Sequence, residues 1–234
     1  MMRKRTVCPA DPAETRGTYN PYIYKLMKAI RFLLLPLAVL AITSADSLAK
    51  FDEKSALAVL ASDSEMKARA CQALAVHGGP DSVPALAEFL GNFRLASYAR
   101  TALEVIEDPS AGEALHAALP NLEGRLLAGV VTSLGVRGDK ASVPSLQELA
   151  TNSDKSVAGS AITALAHIGT KNALATVIQA LKQGPADLRI SAAHAALAAA
   201  EKMANQGNEN EAEQLLESVR AAAVPEHIKQ ATQG

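Results

Sequence analysis

The sequence predicts an all-α fold, a right-handed α-solenoid of about four to five stacked antiparallel helix pairs. Three observations carry this expectation. Apolar residues make up 49% of the chain while aromatics make up only 3%, with no Trp, so the apolar mass is mostly Ala and Leu, which favour helix over strand. Four segments of the chain align with one another without gaps. A glycine column recurs in that alignment where a helix would stop.

Two segments precede the solenoid. Residues 1–26 contain Pro9, Pro12, Gly17 and Pro21 and show no helical or strand period, as expected of a disordered or wrongly assigned N-terminal extension. Residues 27–49 read as a secretory signal peptide that starts at Met27. Lys28 and Arg31 supply its positive start, an apolar run follows from Phe32 to Ile42, and small residues then offer cleavage after Ser47-Leu48-Ala49 or Thr43-Ser44-Ala45. That run contains Pro36 and is about half the length of roughly 20 residues that a membrane span needs. A cleaved signal is therefore favoured over a permanent anchor, and a periplasmic or secreted location follows. No Cys lies near the cleavage sites to carry a lipid anchor.

From Lys50 onward the chain holds 16 Lys and Arg against 21 Asp and Glu, a formal net charge of −5. Such a surface is soluble and disfavours nucleic acid, whose phosphates need clustered cations. Only Cys71 remains of the two cysteines in this part, so no internal disulfide is available to it.

The solenoid is expected over residues 50–200. Its aligned segments start at Leu74, Leu103, Leu134 and Leu165, separated by 29, 31 and 31 residues. One column reads Gly78, Glu107, Gly138, Gly169, and another Leu86, Leu115, Leu146, Val177. Ahead of each leading Leu run the columns Ala70, Ala99, Val130, Ala161 and Met66, Leu95, Leu126, Val157. This spacing is one apolar face of a first helix. The glycines then follow as left-handed helix stops, with Pro109 taking that role beside Glu107. A second helix starts with Asp81 as its N-cap, and Pro84 and Pro144 fit its first turn. Ser62 and Glu65 have capping-box spacing. Each unit is thus a pair of helices of about three turns each.

The unit resembles a HEAT repeat of the short, PBS-lyase type, in which a phased A-x-x-A-L, a Gly and an A-V-P-x-L run recur. Here the last of these appears as Val83-Pro84-Ala85-Leu86 and Val143-Pro144-Ser145-Leu146. The resemblance covers residues 52–200. It implies a curved array whose concave side is lined by the second helix of each pair and binds another protein. Lys182 to Gly234 resembles the end of such arrays in exported bacterial HEAT-repeat proteins. A helix over Ala186–Asn205, stopped by Gly207, leads there to a C-terminal extension or incomplete repeat (201–234) with helices near Glu211–Ala223 and Pro225–Gln233. Some relatives act beside haem or sugar-dehydrogenase modules, which implies an accessory subunit as the alternative role. A bilin-lyase-type enzyme is a more distant one.

The residues offer little chemistry, and the reading is a scaffold or adaptor, not an enzyme, without cofactor or metal. His77, His116, His167, His194 and His227 form no H-x-x-x-H or H-E-x-x-H pair. His77 reads as a helix C-terminal cation and His194 as a buried histidine. Cys71 reads as a small core residue, with Lys67 and Arg69 near enough to keep a reactive thiol open. No G-x-S-x-G, Walker loop, G-x-G-x-x-G or C-x-x-C-H occurs. Glu107-Asp108 and Glu209, Glu211, Glu213 read as a solvated turn and an acidic helix start. Phe51, Phe89, Phe93 and Tyr98 are the aromatics beyond the signal. Phe93, Arg94, Tyr98 and Arg100 form the richest cluster, expected to bind a partner, since exposed Tyr and Arg suit interface hot spots. Asn92-Phe93 is read as the turn within one pair, with Tyr98 and Arg100 opening the next helix. Arg100, Arg125, Arg137 and Arg189 otherwise read as solvated helix faces. At the C-terminus Val224, Ile228 and Ala231 leave an apolar stripe without a polar finish, so self-association through that end is expected.

Overall fold

Apolar residues at three- and four-residue spacing, separated by Gly, Pro and Asp, give helices joined by tight turns. The computed structural model describes residues 52–233. The N-terminal extension, the signal segment and Phe51 lie outside the described residues. Among those described there are twelve α-helices and no strand.

Helix α1 (Glu53–Leu60) leads into five pairs: α2 (Lys67–His77) with α3 (Val83–Ala87), α4 (Ala96–Val105) with α5 (Pro109–Ala118), α6 (Gly124–Arg137) with α7 (Val143–Leu149), α8 (Lys155–Ile168) with α9 (Lys171–Gln183), and α10 (Ala186–Asn205) with α11 (Glu209–Ala221). The short helix α12 (Glu226–Gln230) follows. First helices pack on first helices from α2 to α10. The second helices form a looser layer, tied by His116 to Ser145 (2.9 Å) and by Gln147 to Thr176 (2.7 Å). This is an all-α solenoid. Helix α10 runs through residue 200, and α11 packs on it and on α9 as a fifth pair.

The repeat columns are the core. Leu74, Leu103, Leu134 and Leu165 are all fully buried, and so are Ala70, Ala99, Val130 and Ala161, and Leu86, Leu115, Leu146 and Val177. One column departs from this. Val157 is buried, but Met66 is 39% exposed and Leu95 and Leu126 are half-buried. Met66 and Leu95 are the N-cap residues of α2 and α4, outside the helices proper, and Leu126 borders an open cleft.

The helix ends confirm some stops and change others. Gly138 is left-handed (φ 66°), its N–H bonding Gly135 and that of Asp139 bonding Leu134, a Schellman end. Gly169 and Gly207 are left-handed as well. Gly78 is not: it is extended (φ −71°, ψ 143°). A side chain there is still excluded, because a Cβ would lie 2.4 Å from the Leu74 carbonyl oxygen. Around Glu107 the helix ends at Ile106, and Asp108 caps α5 with Pro109 at its start.

Asp81 does not cap the second helix, because a 3-10 turn (Pro80–Ser82) takes up that position. Glu53 serves the turn from α1, accepting from the Gly79 N–H (2.7 Å) and the Ser82 hydroxyl (2.6 Å). Asp139 does so locally for the turn Lys140–Ser142. These turns shorten α3 and α7 to five and seven residues, below the expected three turns. Ser62 and Glu65 form no capping box: the Ser62 hydroxyl donates back to the Val59 carbonyl, and α2 starts without a side-chain cap.

The C-terminal end is closed, contrary to expectation. Helix α12 folds back, burying Ile228 and packing Val224 on the core, while Arg220 ties the Thr232 hydroxyl at 3.0 Å. With Ile228 buried and Val224 half-buried, Ala231 alone of the apolar stripe faces solvent.

Candidate functional site

The site begins with a turn. After α3 the chain reverses at Asn92, whose side-chain oxygen accepts from the N–H groups of Arg94 (3.0 Å) and Leu95 (3.2 Å). This side chain braces the turn that leads into α4, whose N-cap Leu95 has no side-chain cap, and Phe93 is left 66% exposed. The turn joins one helix pair to the next, not the two helices of one pair. Across from it, Arg125 on the first turn of α6 lies over the Phe93 ring, its guanidinium carbon 4.8 Å from the centroid. This cation–π contact orients both groups.

Below them Arg100 stands in the column that elsewhere reads Cys71, Val131 and Ile162, all buried. A guanidinium therefore occupies an apolar slot. It lies flat on Gly129, where a Cβ would come within 2.8 Å of its central carbon. Nη1 donates to the Gly129 carbonyl (2.9 Å) and to the Ser133 hydroxyl (3.1 Å). That hydroxyl donates in turn to Glu104 (2.6 Å), whose carboxylate is 4.0 Å from Nη1. Burial pushes the Arg100 pKa below its usual value; Glu104 opposes this and Arg125 adds to it. The group stays cationic all the same.

Together these residues border an open cleft of about 270 Å³ between α4 and α6, reaching Ser160 on α8. Its apolar lining comes from Phe93, Ala96 and Leu126, and its polar lining from Arg100, Arg125 and Thr132. Of the four residues expected at a partner site, Phe93 and Arg100 line the cleft; Arg94 and Tyr98 are exposed beside it without lining it. The cleft lies in the first-helix layer, whereas the family resemblance places binding on the second helices. Gly129, Ser133 and Glu104 were not singled out from sequence, and Arg125 was read only as a solvated helix face. Their signal was nonetheless present: Ser133 interrupts Ala73, Ala102, Ala164, and Glu104 interrupts Ala75, Gly135, Ala166.

The other arginines are not solvated faces either. Arg137 donates to the carbonyls of Leu103 (2.6 Å), Ile106 and Asp108 (3.1 Å), closing the end of α4. Arg189 bonds the Gly184 carbonyl at 2.7 Å, at the end of α9. Cations suit helix C-termini, and these two join neighbouring elements. Cys71 is fully buried, and desolvation pushes its thiol up to about 11, which leaves little thiolate for reaction. All five histidines are exposed. His194 is one of them, facing solvent while Ala192, Ala193, Ala195 and Ala196 around it are buried. Among the described residues no three His, Cys, Asp or Glu side chains gather as metal ligands.

Residues 112–198, from α5 to α10, match the family model for HEAT repeats. No curated protein matches the chain. The pairs ahead of the matched segment bury most of the same repeat columns, and the matched residues support a HEAT-repeat family.

Proposed function

We propose that the protein is an exported scaffold that holds another protein against its first-helix layer, at the cleft between α4 and α6. HEAT repeats generally mediate protein–protein contact, and function in a repeat fold sits on a surface that the stacked units present. One observation carries the choice of face. Phe93 is a large ring left 66% exposed, pinned by Arg125 at the mouth of a half-apolar cleft. Aromatic and Arg side chains held in fixed positions lose little freedom on binding and serve as anchors.

Export rests on the segment Met27–Ala49, with its basic start, short apolar run and small-residue end. N-terminal sequencing of the protein from its own cells tests this: a start at Lys50 or Asp46 supports export, and a retained Met1 or Met27 in cytosolic protein refutes it. The docking face is tested with a photo-crosslinking residue at Ser97, in the cleft, against one at Glu148, on α7. A partner captured from Ser97 and not from Glu148 supports the assignment. Capture from Glu148 alone moves the binding face to the second helices.

A further inference from the structure

We propose that the cleft is a receptor for a side-chain carboxylate, an Asp or Glu of the partner flanked by an apolar residue. The inference rests on the scaffold reading and names the chemistry that this face recognises.

It starts from three breaks in the repeat pattern that converge in space. Arg100, Glu104 and Ser133 each replace a small or apolar residue of their columns, and all three meet in one hydrogen-bonded group. A charge placed in an apolar slot is costly unless its donors are filled. Here two of the five are filled by the protein. Nη1 faces inward to Gly129 and Ser133, while Nε and Nη2 have no hydrogen-bond partner among the described residues. Glu104 does not complete the pair, since its nearest oxygen already accepts from Ser133 and stands 4.0 Å from Nη1.

The opposite wall repeats the shortage. Arg125 touches the Phe93 ring and, among the described residues, has no carboxylate partner. Two guanidiniums against one carboxylate leave the cleft positive, within a chain that is negative over residues 50–234. An anion fits, and a planar fork matches a carboxylate best when two parallel N–H groups point at it. The net negative charge of residues 50–234 disfavours a long polyanion. Phe93, Ala96 and Leu126 supply apolar surface for the group next to the carboxylate. Gly129 is what lets the guanidinium lie low enough to leave this room, since a Cβ there would occupy its place.

The full chain, with its arginines labelled with nitrogen-15, is titrated with an acetylated, amidated hexapeptide of alternating Leu and Glu, and with the same peptide carrying Gln for Glu. The expected result is movement of the Arg100 and Arg125 Nε–H resonances and binding about tenfold tighter for the Glu peptide. Arg125→Gln and Arg100→Met each weaken the Glu peptide by about tenfold and leave the Gln peptide unchanged. Both variants keep the fold, since Arg125 is on the surface and the Arg100 column accepts Cys71, Val131 and Ile162 elsewhere; circular dichroism checks this. Equal binding of the Glu and Gln peptides overturns the proposal, as does Glu-peptide binding that neither variant affects. Two controls can overturn it as well. Inorganic phosphate that displaces the peptide at equal concentration makes the site a phosphate site, and a Gln peptide with a free C-terminus that binds as tightly as the Glu peptide makes it a chain-end site. Crosslinking at Ser97 separates the two readings. A partner captured equally by the wild type and Arg125→Gln, with no peptide binding, sinks the carboxylate receptor and spares the scaffold. Peptide binding with no partner captured does the reverse.

Discussion

Within the first-helix layer, helix α6 has two neighbours and treats them differently. Toward α8 it presents Gly135, so close that a Cβ there would fall 2.6 Å from the Ala164 Cα, and small residues from both helices close the joint. Toward α4 it presents Gly129, and the space is filled by the guanidinium of Arg100. The same residue type thus serves backbone-to-backbone contact on one side and admits a charged side chain on the other. Where the repeat columns hold, the helices close completely; where three of them break, a cleft opens and polar groups occupy it. The α6–α8 joint reads as structure, and the α4–α6 joint as the place where this array differs from a plain stack.

Loss of core volume is expected to have the largest effect. Leu165→Ala and Leu103→Ala both remove a fully buried side chain, and each is expected to cost roughly 2–5 kcal/mol. The α8 change should lie at the upper end, because a joint closed backbone to backbone cannot collapse into the void. The α4 change should lie lower, next to an open cleft. Urea unfolding measures both, and equal costs would break the distinction between the two joints.

Next come the glycines themselves. Gly135→Ala drives a methyl into α8 backbone, and overpacking of this kind costs roughly 1–3 kcal/mol. Gly129→Ala meets only the end of a flexible side chain. Arg100 can swing away, so about 1 kcal/mol or less is expected, from its displaced hydrogen bonds. Thermal melts should order the two variants this way. The reverse order would mean that the Arg100 cluster, not the small-residue joint, holds α6 in place.

The fold was legible because a repeat states its core several times. Leu74, Leu103, Leu134 and Leu165 each support the others, and the periods that place them are those of helix geometry. Turns were less legible, since Asp81 and Ser62 have the composition of caps, but Glu53 reaches from α1 into the Pro80–Ser82 turn and the Ser62 hydroxyl bonds back to Val59. The site was half legible. Phe93 and Arg100 stood out by type, whereas Gly129, Ser133 and Glu104 are ordinary residues whose meaning appears only when each is compared with its own column. Pairing Arg100 with Gly129 also requires knowing that first helices stack on first helices.

The smallest expected effect is an uneven response to acid along the array. Three carboxylates ahead of α6 sit below the usual carboxylate range. Asp52 is lowered by the Ser55 hydroxyl and N–H, Glu53 by the Ser82 hydroxyl and Gly79 N–H, and Asp108 by the Ser110 hydroxyl and N–H. A depressed folded pKa contributes stability that is fully present above the unfolded value and is lost as pH falls through the folded one. The α1–α5 side should therefore loosen below about pH 4, where free carboxylates protonate. The α6–α8 joint is held by apolar contact and should change little over the same range. Asp187, on α10, is also depressed by Lys155, but this is an exposed pair of the kind that contributes little. Amide hydrogen exchange between pH 6 and pH 3, corrected for intrinsic rates, should show protection falling first in α1–α5. Glu53→Gln should flatten the response locally, since the amide oxygen can still accept from Gly79 without titrating. Uniform loss of protection across α1–α10 would mean that acid acts on the whole array at once, and that the two faces of α6 do not differ in what holds them.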